Sequence, residues 1–528
     1  MGEVAVDNEK NVIRLAKPVK KGLCSFIFSR LFLVIALLLI QVVILIALWL
    51  WATNKYPALL ALYWVFTFVM VIYLFNNNMD ASAKLSWMLI LSLLPAAGAL
   101  LLLFTQSNIG HRKEAELVKR QIDNTKEALK QPPDVIEEIR DDGSGTDDLA
   151  KYLNLSGCFP IYNKTQVTYF PLGEDKFAAM IEELEKAEKF IFMEYFIITE
   201  GYMWGRILEI LIRKAKEGVD VRVTYDGMCE ASSLPSGYFK LLEKQGIHAR
   251  AFSPIMPVVS SHYNYRDHRK ILVIDGKVAF NGGINLADEY INRLERFGHW
   301  KDTAVMLKGP AAKSFTLMFL QMWNMPYENP DYGEFLSVPD CPSEESKGYV
   351  MPYADSPLDE YKAGESVYMD ILNRANDYVH IMSPYLILDG ELETALRFAT
   401  QRGVDVKLIL PGIPDKKAAY SLAKTHYKSL YEAGVRIYEY TPGFVHAKVF
   451  VSDDIKAVVG TINLDYRSLY HHFECATYLY KTDCIADIEK DFRETLAKCR
   501  EVTPETIKNE KFSYKFFGRL LKWLAPLM

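Results

Sequence analysis

The feature that most constrains this chain is a plan that occurs twice after residue 157. Each half opens with an apolar run typical of a buried strand, at 190–198 in the first half and 378–388 in the second. A helical pattern ending in Gly-Val-Asp-Val follows, at 218–221 and 403–406. Strands that alternate with helices predict an α/β sandwich in each half. Two copies with matching polar sites predict one active site at a pseudo-two-fold interface.

Each half also carries the same polar residues at the same spacing. The sequence His-x-Lys, with an aspartate seven residues after the histidine, occurs twice, and an asparagine lies 17 residues after each histidine. The residues are His268, Lys270, Asp275 and Asn285 in the first half, and His446, Lys448, Asp453 and Asn463 in the second. The alternative is a duplicated domain whose polar residues only satisfy one another. The doubled spacing favours a catalytic motif.

These residue types suit a phosphodiester. Side chains two apart on a strand share a face, so each histidine points with its lysine. One histidine can attack phosphorus while the other protonates the departing alcohol. The substrate phosphate-binding residues are predicted to be Lys270, Asn285, Lys448 and Asn463, which neutralise charge in the transition state. Because side chains supply the positive charge, we expect no metal and no cofactor.

Each histidine needs a carboxylate to fix its tautomer. Asp275 and Asp453 belong to the catalytic motif. However, their odd separation from the histidines aims them at the opposite face of an uninterrupted strand, which favours a structural role. Asp302 and Glu474 are therefore predicted to orient the histidines, with ordinary surface carboxylates as the alternative.

Metal binding is not predicted from the histidines and cysteines. His471 and His472 are adjacent, but no carboxylate or cysteine follows at a ligand spacing. The seven cysteines contain no CxxC pair, which argues against a structural zinc site.

The first 106 residues are predicted to be a membrane anchor, with candidate spans at 31–51, 58–75 and 85–104. The stretch 31–51 is 21 residues long and apolar except for Gln41, so it can cross the roughly 30 Å of hydrocarbon in a bilayer. We therefore expect a multi-pass protein of the cell membrane. Basic residues precede the first span and follow the third, so three full crossings would put both basic stretches on opposite sides. The side that holds the catalytic body stays open.

Polarity divides the remainder of the chain. The charged stretch 107–157 is predicted to be a juxtamembrane helix and linker. The first repeated half is predicted at 158–340 and the second at 341–528. Near the C-terminus, 516–524 is basic and aromatic, so it could lie in the membrane interface or form a helix that caps the core.

These motifs resemble the phospholipase D superfamily, whose HxKxxxxD motif this chain carries twice, and within it the bacterial-type cardiolipin synthases. The stretches that carry the resemblance are 264–270, 282–285, 300–302, 460–468 and 473–474, with the paired apolar segments at 58–75 and 85–104. The resemblance covers nearly everything from about residue 58 onward. The additional apolar segment at 31–51 departs from it.

The resemblance implies that two phosphatidylglycerol molecules are condensed to cardiolipin, with release of glycerol, through a phosphohistidine intermediate. It assigns the nucleophile to His268 and the acid/base to His446, although the near symmetry of the motifs leaves the reverse assignment open. Its expected partners are phosphatidylglycerol, other anionic phospholipids and the lipid bilayer. The oligomeric state is not predicted.

Two other classes use the same histidines. A phospholipase D hydrolase, or a phosphatidyltransferase with another acceptor, would differ only in the attacking group. A phosphodiester nuclease is disfavoured by the net charge of −5 and the pI near 6.1. Nucleic-acid affinity comes largely from basic side chains that neutralise phosphates, so we expect no nucleic-acid partner.

Overall fold

The computed structural model describes residues 5–7, 12–16, 58–77, 79–93, 98–99, 101–102, 112–254, 265–327, 330 and 332–527, with single positions between 40 and 56. The strands are β1 (Ala5–Asp7), β2 (Val12–Arg14), β3 (Gln166–Phe170), β4 (Phe190–Tyr195), β5 (Asp220–Asp226), β6 (His248–Phe252), β7 (Arg266–Asp267), β8 (Lys270–Ile274), β9 (Val278–Gly282), β10 (His299–Lys301), β11 (Ala304–Lys308), β12 (Tyr349–Asp355), β13 (Tyr378–Met382), β14 (Leu386–Ile387), β15 (Asp405–Pro411), β16 (Arg436–Tyr440), β17 (Gly443–Val445), β18 (Val449–Ser452), β19 (Lys456–Gly460), β20 (Leu464–Asp465), β21 (His472–Tyr480) and β22 (Cys499–Glu501).

The helices are α1 (Ala58–Phe75), α2 (Ala81–Leu93), α3 (Arg112–Thr125), α4 (Pro133–Asp141), α5 (Thr146–Gly157), α6 (Gly173–Glu185), α7 (Tyr202–Lys216), α8 (Met228–Ser232), α9 (Tyr238–Glu243), α10 (Ala312–Trp323), α11 (Gly333–Leu336), α12 (Ala363–Arg374), α13 (Gly390–Gln401), α14 (Lys417–Ala433), α15 (Tyr466–Tyr470), α16 (Ile485–Leu496), α17 (Pro504–Asn509) and α18 (Phe512–Lys522). Short 3₁₀ turns lie at Asp288–Ile291 and Ala525–Leu527.

The two halves contain sheets with the same strand order. The first sheet runs β3-β11-β9-β8-β4-β5-β6, and the second runs β12-β21-β19-β18-β13-β15-β16-β22. In each sheet the motif strand pairs antiparallel with the apolar opening strand, which pairs parallel with the next strand. All six residues of β4 are buried, as expected for a strand inside a sheet whose two faces are both covered. The α/β class and the internal repeat are confirmed.

One hydrophobic cluster runs through both halves. It contains Phe192 and Val273 from the first sheet, and Ile381 and Val451 from the second. The helix α10 lies within the same cluster, where the Phe319 ring stacks on Phe192 at 4.6 Å. This shared core fixes the relative position of the halves, as a jointly built site requires.

The segment 107–157, predicted as a juxtamembrane helix and linker, contains the helices α3, α4 and α5 from residue 112 onward. Val135, Ile139 and Leu153 from this segment lie in the shared core. Charged neighbours surround these apolar residues in the sequence, although Val135 and Ile139 stand at helical spacing, four residues apart. The boundary at 340 between the halves stays a prediction.

The N-terminal segments are only partly described. The helix α1 coincides with the predicted segment 58–75, α2 covers the beginning of 85–104, and 31–51 lies mostly outside the described residues. Among the residues that the structure describes, no helix is both long and apolar enough to span a membrane.

Candidate active site

Two short parallel strand pairs join the halves at the site. The strand β7 of the first half pairs with β21 of the second, and β10 of the first pairs with β17 of the second. Just beyond each pair, the His268 N–H donates to the Phe473 carbonyl at 2.9 Å, and the His446 N–H donates to the Lys301 carbonyl at 2.7 Å. Each motif histidine is therefore fixed to the backbone of the opposite half.

The histidine side chains also cross between the halves. The His268 Nδ1 lies 2.8 and 2.9 Å from the two Glu474 carboxylate oxygens, and the His446 Nδ1 lies 2.6 Å from Asp302 Oδ2. Both carboxylates are fully buried. A carboxylate at Nδ1 holds the proton there and leaves Nε2 free to attack or to carry a proton. The structure thus pairs each predicted histidine with a predicted orienting carboxylate.

Two buried lysines stand beside the histidines. The Lys270 and Lys448 ammoniums each contact the carbonyl oxygen of the histidine two residues earlier. The Lys448 Nζ also lies 3.0 Å from the His446 Nδ1. Burial lowers the pKa of Lys270 to about 8 and that of Lys448 to about 7, because an ammonium is costly away from water. A bound phosphate anion would favour the charged form of both.

The surroundings of the two imidazoles lower the pKa of each. Burial lowers the pKa of His268 well below its ordinary value, and the positive charge of Lys270 lowers it further. Burial and Lys448 also lower the pKa of His446, but Asp302 opposes them and the pKa is about 4. A neutral imidazole has the lone pair that a nucleophile needs.

The two asparagines support their half-sites in similar ways. The Asn285 Nδ2 donates to the Tyr290 hydroxyl at 2.8 Å, and the Asn463 Nδ2 donates to the Ser468 hydroxyl at 3.0 Å. Tyr290 in turn places its ring 5.5 Å from that of His446. The Asn463 Oδ1 is buried and has no hydrogen-bond partner among the described residues. Direct contact between these amides and a phosphate stays a prediction.

The motif aspartates lie at the strand ends and bind the main chain. Asp275 accepts three hydrogen bonds of 2.7–2.9 Å from the backbone N–H groups at 188–190. Asp453 accepts three of 2.9–3.0 Å from those at 376–378. Both have left-handed φ angles, 52° and 53°, as they turn the chain toward the next strand. Their inclusion among the catalytic residues is therefore corrected: these contacts hold together two strand ends.

Two aromatic neighbours of the histidines were not predicted. His472 lies two residues before Glu474, and its ring is 5.4 Å from that of His268. Trp300 lies two residues before Asp302, and its ring is 5.4 Å from that of His446. The signal was available, because residues two apart on a strand share a face, and each orienting carboxylate points at its histidine.

The Glu474 carboxylate lies near two imidazoles, those of His268 and His472. The His472 Nδ1 lies 3.6 Å from Glu474 Oε1, and His268, His472 and Glu474 each offer a ligand atom within 4.8 Å of the others. Two imidazoles and a carboxylate are a donor set that suits Zn²⁺. The same Glu474 oxygens bind the His268 ring, so a metal there would take away the orienting partner of His268.

Comparison with known proteins agrees with this geometry. The family model described as cardiolipin synthase, phospholipase D-like domain, matches residues 180–323 and 368–496. A cardiolipin synthase of Alkalihalophilus pseudofirmus is 31% identical over 463 residues, covering 87% of this chain and 91% of the relative. An uncharacterized protein of Streptococcus mutans is 57% identical over 458 residues, covering 87% of this chain and 99% of the relative.

A solved structure resembles the fold. The crystal structure of phosphatidylserine synthase from Haemophilus influenzae matches with a TM-score of 0.53 and 14% identity, covering 72% of this chain and 97% of that protein. The fold and the paired site define an enzyme of the phospholipase D type. The chain belongs to the cardiolipin synthase family with phospholipase D-like domains, and it is a phosphatidyltransferase.

Proposed function

We propose that this enzyme is a cardiolipin synthase, which transfers a phosphatidyl group from one phosphatidylglycerol to another and releases glycerol. The observation that carries the proposal is the crossed pairing, in which each motif imidazole is oriented by a carboxylate from the opposite half. Cardiolipin synthases at 31% identity over nearly the whole chain support the choice of substrate.

In the first step, the His268 Nε2 attacks the phosphorus of phosphatidylglycerol. The bond between phosphorus and the glycerol oxygen breaks, and His446 gives that oxygen a proton, so that glycerol leaves. Lys270 and Lys448 neutralise the charge that builds on the non-bridging oxygens. The product is a phosphatidyl-histidine and a neutral His446.

In the second step, His446 removes a proton from the terminal hydroxyl of a second phosphatidylglycerol. The resulting oxygen attacks phosphorus, the bond to His268 Nε2 breaks, and cardiolipin forms. The two histidines are only 6% and 7% exposed. Such burial limits the access of water to the intermediate, which favours transfer over hydrolysis.

The surroundings of the two histidines support this division of roles. A nucleophile must be neutral, and the pKa of His268 is lowered by burial and by the positive charge of Lys270. An acid must carry a proton, and Asp302 opposes the lowering of the His446 pKa.

The place of action proposed for the enzyme is the cell membrane. The described N-terminal helix α1 exposes large apolar side chains, with Trp64 67%, Phe68 66% and Leu62 65% exposed. Such a surface is unusual for a protein in water and is suited to lipid. Extraction of cell membranes with alkaline carbonate tests the proposal: the chain should stay with the lipid, and release into the supernatant would contradict it.

The function is tested with purified enzyme in mixed micelles that contain phosphatidylglycerol as the sole phospholipid. Mass spectrometry should detect cardiolipin and glycerol in equal amounts, and neither should form with His268→Ala or His446→Ala. Lys189→Ala, an exposed substitution, is the matched control and should keep full activity. Phosphatidic acid as the sole product would instead indicate a hydrolase, and formation of cardiolipin by both histidine variants would overturn the mechanism.

A further inference from the structure

The C-terminal helix α18 buries one face and exposes another. It packs on α14, where Gly518 allows close approach, because a Cβ at that position would overlap the Ser421 carbonyl oxygen. Its other face presents apolar side chains to the outside. Phe512 is 79% exposed, Phe516 53% and Phe517 54%. The helix therefore both caps the core and leaves an aromatic stripe without cover from the described chain.

Beside this stripe is a cavity of about 1200 Å³ whose walls are rich in positive charge. It has nine basic and three acidic lining residues: Lys424, Lys428, Arg436, Arg500, Lys508, Lys511, Lys515, Arg519 and Lys522, against Glu432, Glu439 and Glu510. The chain as a whole has a net charge of −5. The excess of positive charge is therefore a local feature, which the average composition conceals.

Two acidic residues of the cavity are paired with two of its basic residues. Glu439 lies 2.5 Å from Lys424 and 2.6 Å from Arg500, and Glu510 lies 2.7 Å from Lys424. Lys511, directly before α18, and Arg519, on α18, are both exposed. These two basic groups can bind an anion without displacing the ion pairs of Glu439 and Glu510.

The C-terminal end of α18 contacts the N-terminal helix α2. The Ser86 hydroxyl of α2 donates to the Trp523 carbonyl, directly after α18. Basic side chains beside exposed aromatic rings suit the surface of an anionic bilayer, where the phosphates can bind the basic groups and the acyl chains can contact the rings. A nucleic acid would satisfy the basic groups, but it would leave the phenylalanine stripe of α18 in water.

We propose that this cavity and α18 form a second lipid-binding site, which takes the phosphate head group of an anionic phospholipid while the aromatic stripe enters the interface. Its residues are separate from the catalytic histidines and lysines, so the site does not depend on the acceptor used in catalysis. It would hold the C-terminal end of the body against anionic membrane and concentrate the enzyme where its anionic substrate is abundant.

The test uses the full chain in an uncharged detergent, with His268→Ala added to prevent turnover. Calorimetric titration with short-chain phosphatidylglycerol below its micelle concentration should show two binding events. The triple variant Lys511→Glu, Lys515→Glu, Arg519→Glu should lose one event or weaken it at least tenfold. The control Lys189→Glu, Lys216→Glu, Lys244→Glu, exposed basic residues of the first half, should keep both.

Further arms separate the possible ligands. Short-chain phosphatidylcholine and inorganic phosphate should not bind at the second site. The double variant Phe512→Ser, Phe516→Ser should weaken the binding of phosphatidylglycerol at that site. Equal affinity for inorganic phosphate would show a free-anion site, and tighter binding of a DNA duplex would show a nucleic-acid site. Either result, or one binding event in every variant, would overturn the proposal. Unchanged thermal unfolding of the variants confirms that they fold.

Discussion

The half-site around His268 and the half-site around His446 use the same parts with different neighbours. Each has a histidine, a lysine two residues on, and a carboxylate from the opposite half. Around His268 the carboxylate is the longer Glu474, and the flanking ring is His472. Around His446 the carboxylate is the shorter Asp302, and the flanking ring is Trp300. The pseudo-symmetry of the backbone is thus broken by side chains.

The glycine-rich turns are matched to these carboxylates. A Cβ at Gly283 would overlap the Asp302 carboxylate, so that turn needs a glycine for the short aspartate to lie close. The equivalent position in the second half is Thr461, whose hydroxyl donates to Glu474. A duplicated scaffold can thus keep two imidazoles in equivalent places while the side chains around them differ.

Loss of either histidine should give the largest effect, and the leaving group should distinguish the two. We expect His268→Ala and His446→Ala each to lower turnover of phosphatidylglycerol by about 10⁴-fold or more. A phosphatidyl ester of p-nitrophenol needs no proton for departure, so its first-turnover release of p-nitrophenol should recover with His446→Ala and not with His268→Ala. Recovery with His268→Ala instead would reverse the roles.

Removing charge from the crossed carboxylates should come next. Asp302→Asn and Glu474→Gln keep the shape but disturb the tautomer of the paired histidine, so kcat should fall by about 10³–10⁴-fold. Circular dichroism should show an unchanged fold. A loss of kcat below tenfold in either variant would show that its half-site does not need an oriented imidazole. The two half-sites would then not work in equivalent ways.

The lysines should give the alkaline side of the pH profile. Burial lowers the pKa of Lys270 to about 8 and that of Lys448 to about 7. As pH rises through these values the free enzyme loses positive charge, so kcat/KM should fall by up to about tenfold per pH unit for each required lysine. Lys448→Arg keeps its charge in this range, so its remaining alkaline decline should begin nearer pH 8. A decline that still begins near pH 7 would contradict the assignment.

The strand-end aspartates should affect stability more than chemistry. Asp275→Ala removes the acceptor of three backbone N–H groups, and we expect the free energy of unfolding to fall by about 2 kcal/mol. Asp453 is more exposed, so water can replace it and its alanine variant should lose about 1 kcal/mol. Urea unfolding measures both, and kcat of the folded enzyme should stay within about threefold. A 100-fold loss of kcat would restore the aspartates to the catalytic set.

The smallest effect should come from the imidazole that has no counterpart in the other half. Both ring nitrogens of His472 are buried without a hydrogen-bond partner among the described residues. His472→Phe should therefore raise the free energy of unfolding by about 1 kcal/mol, since an unsatisfied polar group is costly to bury. His380→Phe is the control. The His380 Nδ1 lies 2.9 Å from the Glu489 carboxylate, so this variant should be less stable than the wild type. A loss of stability in His472→Phe would show that its nitrogens are satisfied.

The sequence allowed the repeat, the α/β class and the pairing of His268 and His446 with buried carboxylates to be anticipated, because strand periodicity and duplicated spacing are local signals. It did not show that Glu474 serves His268 while Asp302 serves His446, since that exchange depends on the parallel pairing of β7 with β21 and of β10 with β17. Long-range pairing of this kind leaves no trace in local spacing. By contrast, the core positions of Val135 and Ile139 and the proximity of His472 to Glu474 follow from local spacing, four residues apart on a helix and two apart on a strand.

Trapping the covalent intermediate tests most directly whether the reaction proceeds through a phosphatidyl group on His268. The wild-type enzyme and both histidine variants would be mixed with phosphatidylglycerol labelled at phosphorus, quenched in base within milliseconds, digested and examined by mass spectrometry. We expect a phosphatidyl adduct on the peptide that contains His268, and no adduct in His268→Ala. An adduct on His446, or formation of cardiolipin by an enzyme that never carries the label, would contradict it.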